Sequence, residues 1–191
     1  MVASAITVKI GHEINPDFQI GCMLAMVPFY ARTCRPQDEI AAQIAMEHRL
    51  YYYGDLHVFG EYPSFMKAFQ KERGIVLDIT KEDLQYLKEG CVDYIGISYY
   101  MSSTISSIET DDSIKVAEGF YVARNPYVEK SDWNWQIDPQ GLRYSLNLLH
   151  QRYHKPIFVV ENGFGAYDKM ENGEIHDQYR ICLLYTSDAA D

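Results

Sequence analysis

The sequence has little that would place it among disulfide-rich, zinc-binding or nucleic-acid-binding proteins. Its cysteines number only four, Cys22, Cys34, Cys91 and Cys182, and no two of them have Cys-x-x-Cys spacing. Their wide separation argues against a disulfide scaffold and against a zinc cluster. The lysines and arginines are scattered along a chain with a formal net charge of −10, so no basic stripe follows a phosphate backbone. We therefore expect no nucleic-acid partner.

Long apolar segments are also missing. The longest apolar run, residues 22–30, is too short to span a bilayer and is interrupted by Pro28. The N-terminus lacks the basic, apolar and small-residue regions of a signal peptide. Together with cysteines that suit a reducing compartment, these absences predict a cytoplasmic protein with no membrane partner.

Motifs for phosphate, metal and cofactor binding are absent as well. The sequence contains no phosphate loop, no Gly-x-Gly-x-x-Gly and no Gly-x-Ser-x-Gly. His150 and His154 have the spacing of metal ligands on a helix, but no carboxylate or third histidine completes a site, which favours a solvated helix end. We therefore expect neither a metal ion nor a cofactor.

What the sequence does contain is the alternation of a parallel α/β fold. Hydrophobic residues make up 47% of its 191 residues, enough for one globular domain or for a piece of a larger one. Near-continuous apolar runs predict three buried strands, at residues 20–29, 92–100 and 156–160. Amphipathic spacing, caps and stops predict helices at residues 2–10, 36–53, 61–73, 80–90 and from 139 to the Lys155-Pro156 stop. Residues 101–131 show no sustained period and predict a long loop.

The order strand, helix, strand predicts a parallel sheet, either closed into a barrel or open. An open doubly wound sheet with an unrelated activity is the weaker alternative, since the chain has no phosphate-binding glycine turn. In both architectures the chemistry lies at the C-terminal ends of the strands. Glu161 follows the third apolar strand directly, at such an end. The run Glu-Asn-Gly is also an ordinary turn sequence, but a hairpin needs a second strand immediately afterwards, and residues 164–168 do not supply one.

Aromatic side chains accompany this carboxylate. Tyr99 and Tyr100 end the second strand, where they belong either to the core or to the site. Trp133 and Trp135 precede the Asp138 helix cap in a polar segment, where they serve equally well as core residues or as platforms for sugar rings.

Three segments of the chain resemble glycoside hydrolase family 1, and its bacterial 6-phospho-β-glucosidases in particular: "VVENGFGAYD", "YIGISYYMSS" and "DWNWQIDPQGLRYSL". The resemblance covers residues 1–181. It implies a (β/α)₈ TIM barrel, of which this chain holds about strands five to seven with their helices. It also implies that Glu161 is the catalytic nucleophile, that Tyr100 donates a hydrogen bond to Glu161 and orients it, and that Trp135 binds substrate on the aglycone side.

The resemblance further implies a retaining glycosidase whose substrate is a small-molecule β-glucoside phosphorylated at the 6-position. In the family the acid/base glutamate lies on strand four, in a Thr-x-Asn-Glu-Pro-like motif that this chain does not contain. Glu13 is not its equivalent, because it follows a predicted helix rather than a buried strand. The phosphate-gripping residues lie after strand eight. We therefore expect these residues alone to be nearly inactive.

Two further expectations concern the chain ends and the competing function. Residues 1–181 are predicted to be part of a family 1 catalytic domain, and the last ten, "CLLYTSDAAD", depart from the family and are predicted to be a non-native tail.

The alternative function is a non-catalytic sugar-binding or regulatory half-barrel that self-associates. The sequence leaves open the aglycone, the choice between gluco and galacto sugars, phosphate specificity and the oligomeric state.

Overall fold

The computed structural model describes residues 1–188; residues 189–191 of the predicted tail lie outside this range. The helices are α1 (Val2–Ile14), α2 (Pro36–Met46), α3 (Tyr52–Phe59), α4 (Ser64–Arg73), α5 (Lys81–Glu89), α6 (Pro139–Tyr153) and α7 (Gln178–Asp188), with a π-helical turn at Glu47–Tyr51. The strands are β1 (Gly21–Met26), β2 (Phe29–Ala31), β3 (Tyr94–Tyr99), β4 (Ser103–Ser106), β5 (Ile114–Ala117), β6 (Phe120–Val122), β7 (Glu129–Lys130), β8 (Gln136–Ile137), β9 (Ile157–Asn162), β10 (Met170–Glu171) and β11 (Glu174–Ile175).

The central element is a parallel sheet of three strands in the order β1, β3, β9. These are the three strands predicted from the apolar runs, and they are neighbours in the same order as in the sequence. Ile95 of β3 is in register with Cys22 of β1 and with Ile157 of β9. The strands therefore all end at the same edge, which is the edge where the sequence predicts a site.

The two faces of this sheet have different surroundings. Alternate residues of β1 are buried beneath the helices, among them Leu24 and Met26. They join one core with residues of β3 and of α1, α2, α3 and α6. The opposite face carries Met23 and Phe158, which are 55% and 58% exposed. Side chains alternate between the faces of a strand, so the sheet has a covered face and an open face.

The caps predicted for two helices are present. At the start of α5, Thr80 Oγ1 accepts a hydrogen bond from the backbone N–H of Asp83 at 3.1 Å, and Asp83 accepts one from the N–H of Thr80 at 2.8 Å. This is the predicted capping box. Asp138 accepts from the N–H of Gly141 at 2.9 Å at the start of α6, which ends at His154 in a left-handed conformation.

The boundaries of other helices differ from the prediction. Helix α1 continues past Gly11 to Ile14. The glycine makes room for a neighbour within the helix and does not end it, since a Cβ on Gly11 would lie 2.3 Å from the Ile20 side chain. The helix predicted at residues 36–53 continues through the π-helical turn to Phe59 and ends at Gly60, whose φ is +65°. Helix α4 begins at Ser64, after Pro63, and not at Glu61.

The prediction of a loop at residues 101–131 was wrong. This segment supplies β4, β5 and β6, which join β2 in a sheet of order β2, β4, β6, β5, and it ends in β7. Strands β5 and β6 form a hairpin whose turn includes Gly119 at φ +72°. Every residue of β5 is exposed, Ile114 and Val116 included, and β4, β5 and β6 are only three or four residues long, too short to show a sustained period. Asn172 and Gly173, both at positive φ, form the turn that connects β10 and β11.

Candidate active site

A β-bulge in β9 determines which way Glu161 points. Val159 is in register with Ile97 of β3, but the next residue of β3, Ser98, is in register with Glu161. Val160 is the extra residue, and a bulge of this kind re-aims the side chains that follow it. In an unbroken ladder Glu161 would share the covered face with Val159 and Ile157. The bulge places it instead on the open face, which a carboxylate can occupy without being buried among apolar residues.

Tyr100 reaches this carboxylate from the neighbouring strand. It follows the last residue of β3, so it lies on the open face while Tyr99 is fully buried in the core. The Tyr100 hydroxyl donates a hydrogen bond to Glu161 Oε2 at 2.6 Å. This bond, followed by burial and by the charge of the carboxylate, raises the pKa of Tyr100, since an ionised phenol could not donate and would face a second anion.

Trp135 lies against the other side of Tyr100. The two ring centroids are 5.9 Å apart with the rings tilted by 67°, and Trp133 contacts Trp135 at 5.7 Å in a T-shaped arrangement. Trp133 in turn lies 6.1 Å from the ring of Tyr167. The three residues singled out in the sequence, Glu161, Tyr100 and Trp135, therefore form one contiguous group at the C-terminal ends of the strands.

The loop that carries the tryptophans is compact. Ser131 Oγ accepts hydrogen bonds from the N–H groups of Trp133 and Trp135, each at 3.3 Å, and the Ser131 N–H donates to the Trp135 carbonyl at 2.9 Å. Asn134 between the tryptophans has φ +62°, which turns the chain sharply. Asparagine tolerates this left-handed conformation better than most residues. The turn places the rings of Trp133 and Trp135 edge to face.

Sequence reasoning missed the buried polar residues beneath this loop. Gln136, Ser102 and Thr104 are all buried, and the Gln136 amide is hydrogen-bonded to both hydroxyl groups. Asp138 was recognised as a helix cap, but its second carboxylate oxygen also accepts from the Tyr30 hydroxyl at 2.9 Å. The only local signal is a polar residue next to Trp135 in a short strand, and such a residue is more often exposed than buried.

A separate cavity of about 520 Å³ opens beside β1. Its lining comes from β1, β2, β4, the π-helical turn, α3 and the residues that directly follow β1 and β3: Met23, Leu24, Ala25, Val27, Phe29, Arg49, Leu50, Tyr53, His57, Met101 and Ser103. None of the three predicted site residues lines it. Within residues 1–188 no group of three His, Cys, Asp or Glu side chains is arranged to hold a metal ion. Nor does any helix in this range have the length and apolar character needed to cross a bilayer.

Comparisons with known sequences give the family. The family model described as glycosyl hydrolase family 1 matches residues 1–188. The chain is 45% identical over 184 residues to the aryl-phospho-β-D-glucosidase BglH of Bacillus subtilis. It is 42% identical over 185 residues to the 6-phospho-β-glucosidase AscB of Escherichia coli. Each match covers 96% of this chain and 39% of the relative, so the chain spans about two fifths of the length of these relatives.

Solved structures give the architecture. The family 1 β-glucosidase of Thermotoga maritima matches with a TM-score of 0.80 at 24% identity, covering 97% of this chain and 40% of that one. The β-glucosidase of Exiguobacterium antarcticum matches with a TM-score of 0.81 at 24% identity, covering 97% and 41%. The prediction of an α/β fold that forms part of a TIM barrel, about strands five to seven with their helices, is confirmed. The assignment of residues 182–191 to a non-native tail stays a prediction.

Proposed function

Since the chain belongs to glycosyl hydrolase family 1, we propose that it forms part of a retaining β-glycosidase that hydrolyses 6-phospho-β-glucosides, with Glu161 as the nucleophile. The observation that carries this proposal is the hydrogen bond from Tyr100 to Glu161 on the open face of the sheet. In a closed barrel that face points inward, and the strand ends form the mouth where substrates bind.

The reaction requires two carboxyl groups. One oxygen of Glu161 attacks the anomeric carbon of the sugar, the bond from that carbon to the leaving oxygen breaks, and a glycosyl-enzyme ester forms. A second carboxyl, about 5–5.5 Å away, protonates the leaving oxygen and then takes a proton from the water that cleaves the ester. Family resemblance assigns that second carboxyl to strand four, which residues 1–191 do not include. Hydrolysis restores the Glu161 carboxylate and releases the sugar.

Tyr100 has a defined task in this scheme. Its hydroxyl engages Oε2 of Glu161, which fixes the rotamer of the side chain and leaves Oε1 to attack. Trp135, whose ring contacts that of Tyr100, forms the wall on the side of the leaving group.

The substrate class rests on the relatives. Those named above are an aryl-phospho-β-D-glucosidase and a 6-phospho-β-glucosidase, and their identities to this chain are 45% and 42%. We infer the same class here, a small phosphorylated β-glucoside. The competing function, a non-catalytic sugar-binding half-barrel, predicts binding of the same sugar without turnover.

A segment exchange tests the proposal. The matched segment of B. subtilis BglH is replaced by residues 1–181 of this chain, and the product is called here the grafted enzyme. We expect it to release the chromophore from a chromogenic 6-phospho-β-glucoside. A 2-deoxy-2-fluoro analogue should trap the ester, and peptide mass spectrometry should find the label on Glu161. A label on any other residue, or a folded grafted enzyme that binds the sugar without turnover, would refute the assignment.

A further inference from the structure

Trp135 directly precedes β8 and is attached to the rest of the site through Gln136, the first residue of that strand. The Ser102 hydroxyl donates a hydrogen bond to Gln136 Oε1 at 3.0 Å, and Gln136 Nε2 donates to Thr104 Oγ1 at 3.4 Å. Gln136 is 6% exposed, and both hydroxyl residues are buried. A buried amide with unmet hydrogen bonds is costly, so these contacts oblige Gln136 to keep one position.

The position of Gln136 fixes that of Trp135. The two residues are consecutive, so the side chains project to opposite sides of the strand. Gln136 is also in register with Lys130 in the β7–β8 hairpin, which holds the backbone between them. The hydrogen bonds of Gln136 with Ser102 and Thr104 are called the clamp below. Because the clamp holds the Gln136 side chain on one side of the backbone, it sets the direction of the Trp135 ring on the other side.

The partner of this clamp belongs to the segment that carries Tyr100. Ser102 lies two residues after Tyr100, just before β4. On the other side of Tyr100 in the sequence, the hydroxyl of Tyr99 donates to the Asp138 carbonyl at 2.5 Å. These two buried contacts tie residues 136–138 to the residues on both sides of Tyr100. The Tyr100 ring itself lies 5.9 Å from the ring of Trp135.

Gln136 and Ser102 are the two residues whose described side-chain hydrogen bonds belong to these contacts alone, and Gln136 is the one next to Trp135. Tyr99 is a fully buried core residue, and Asp138 also caps α6, so changing either would disturb more than the loop. We propose that Gln136 is a positioning residue that holds Trp135 against Tyr100 and so shapes the side of the site that receives the leaving group. The part of this inference that concerns the leaving group rests on the proposed function.

The chain offers a direct readout of the clamp. It has only two tryptophans, Trp133 and Trp135, so tryptophan fluorescence of the 191-residue chain reports on this loop alone. For Gln136→Leu we expect a red shift of the emission maximum, faster quenching by acrylamide and a loss of near-ultraviolet circular dichroism. Ser102→Ala removes the donor to Gln136 and should change the same signals in the same direction. This variant tests the clamp even if Gln136→Leu does not fold.

Tyr153→Phe is the matched control. Its hydroxyl is buried and donates to Asp55 at 2.9 Å, so the variant also loses a buried hydrogen bond, but at the end of α6 opposite to the tryptophan loop. It should unfold more readily while keeping the tryptophan signals of the folded parent. Variants of Gln136 and Ser102 that behave in this way, less stable but spectroscopically unchanged, would overturn the positioning role.

The grafted enzyme separates this inference from the proposed function. With an aryl 6-phospho-β-glucoside we expect Gln136→Leu to raise KM about five- to tenfold and to leave kcat within about twofold, because binding of the leaving group is weakened more than the attack. An inactive parent graft would refute the proposed function and leave the fluorescence result to stand alone. An active graft whose KM does not respond to Gln136→Leu would refute the role toward the leaving group.

Discussion

Glu161 is in register with Ser98 across the β3–β9 ladder, although simple alternation from Val159 would pair Val160 with that serine. The bulge at Val160 therefore interrupts the alternation of side chains between the two faces of the strand. Val160 and Glu161 both point to the open face, and the carboxylate reaches the Tyr100 hydroxyl at 2.6 Å. This displacement by one residue is what makes the strand end usable as a site.

The first prediction concerns the nucleophile. Replacing Glu161 by Gln in the grafted enzyme keeps the size of the side chain but removes the charge, and we expect kcat to fall by about 10³-fold or more. Glu174→Gln, on the exposed strand β11, is the control and should keep full activity. Steady-state assays and thermal unfolding of both variants make the comparison. A Glu161→Gln enzyme with parental kcat would exclude the assigned role.

The second prediction concerns the phenol. Tyr100→Phe removes the donor to Glu161 while keeping the ring beside Trp135, so we expect kcat/KM to fall by about 10- to 100-fold with little change in stability. A larger loss with a lowered melting temperature would indicate that the residue is structural.

The third prediction follows the proton on Tyr100. Its pKa is raised by the bond to Glu161, so the phenol should stay protonated in solutions alkaline enough to ionise an ordinary tyrosine. Because the pKa is higher in the folded state, the contribution of this bond to stability is present at neutral pH and is lost as the pH rises through the raised value. Absorbance titrations of the chain and of Tyr100→Phe, subtracted, isolate this phenol. In Glu161→Gln the difference titration should move to lower pH; an unchanged midpoint would contradict the coupling.

Some of this arrangement could be read from the sequence, and the reasons differ from element to element. Three apolar runs gave the sheet, because strands buried beneath helices need little context to be recognised. The bulge at Val160 could not be foreseen, since register depends on two strands and the residues of β9 alone do not reveal it. The burial of Gln136 likewise depends on Ser102 and Thr104, which are more than thirty positions away in the sequence.

The fourth prediction concerns the turn between the tryptophans. Asn134 has φ +62°, so Asn134→Gly should be nearly neutral, whereas Asn134→Val should destabilise the loop by about 1–2 kcal/mol. The β-branched side chain is strained in this conformation and will tend to release the T-shaped contact of Trp133 and Trp135. Near-ultraviolet circular dichroism of both variants checks this. Equal signals in the glycine and valine variants would show that the turn conformation does not hold the rings.

The fifth prediction concerns the ion pair between Asp55 of α3 and Arg152 of α6. Arg152 donates two hydrogen bonds to Asp55, at 2.9 and 2.7 Å, and stacks over the ring of Tyr51. Arg152→Leu leaves a buried carboxylate with only the Tyr153 hydroxyl, so we expect a loss of about 2–3 kcal/mol in the free energy of unfolding. Urea unfolding measures this loss. Arg143→Leu, at an exposed position of the same helix, is the control and should change the stability little.

The burial of Cys22 on the covered face of β1 allows the separation of the helices from the sheet to be followed chemically. Cys22 points under the helices, where burial raises the pKa of its thiol to about 11, while the next side chain, Met23, lies on the open face. The thiolate is the reactive form, so an alkylating reagent can modify Cys22 at neutral pH chiefly when the helical layer lifts from the sheet. The rate of that modification, followed by mass spectrometry, therefore measures how often the two layers part.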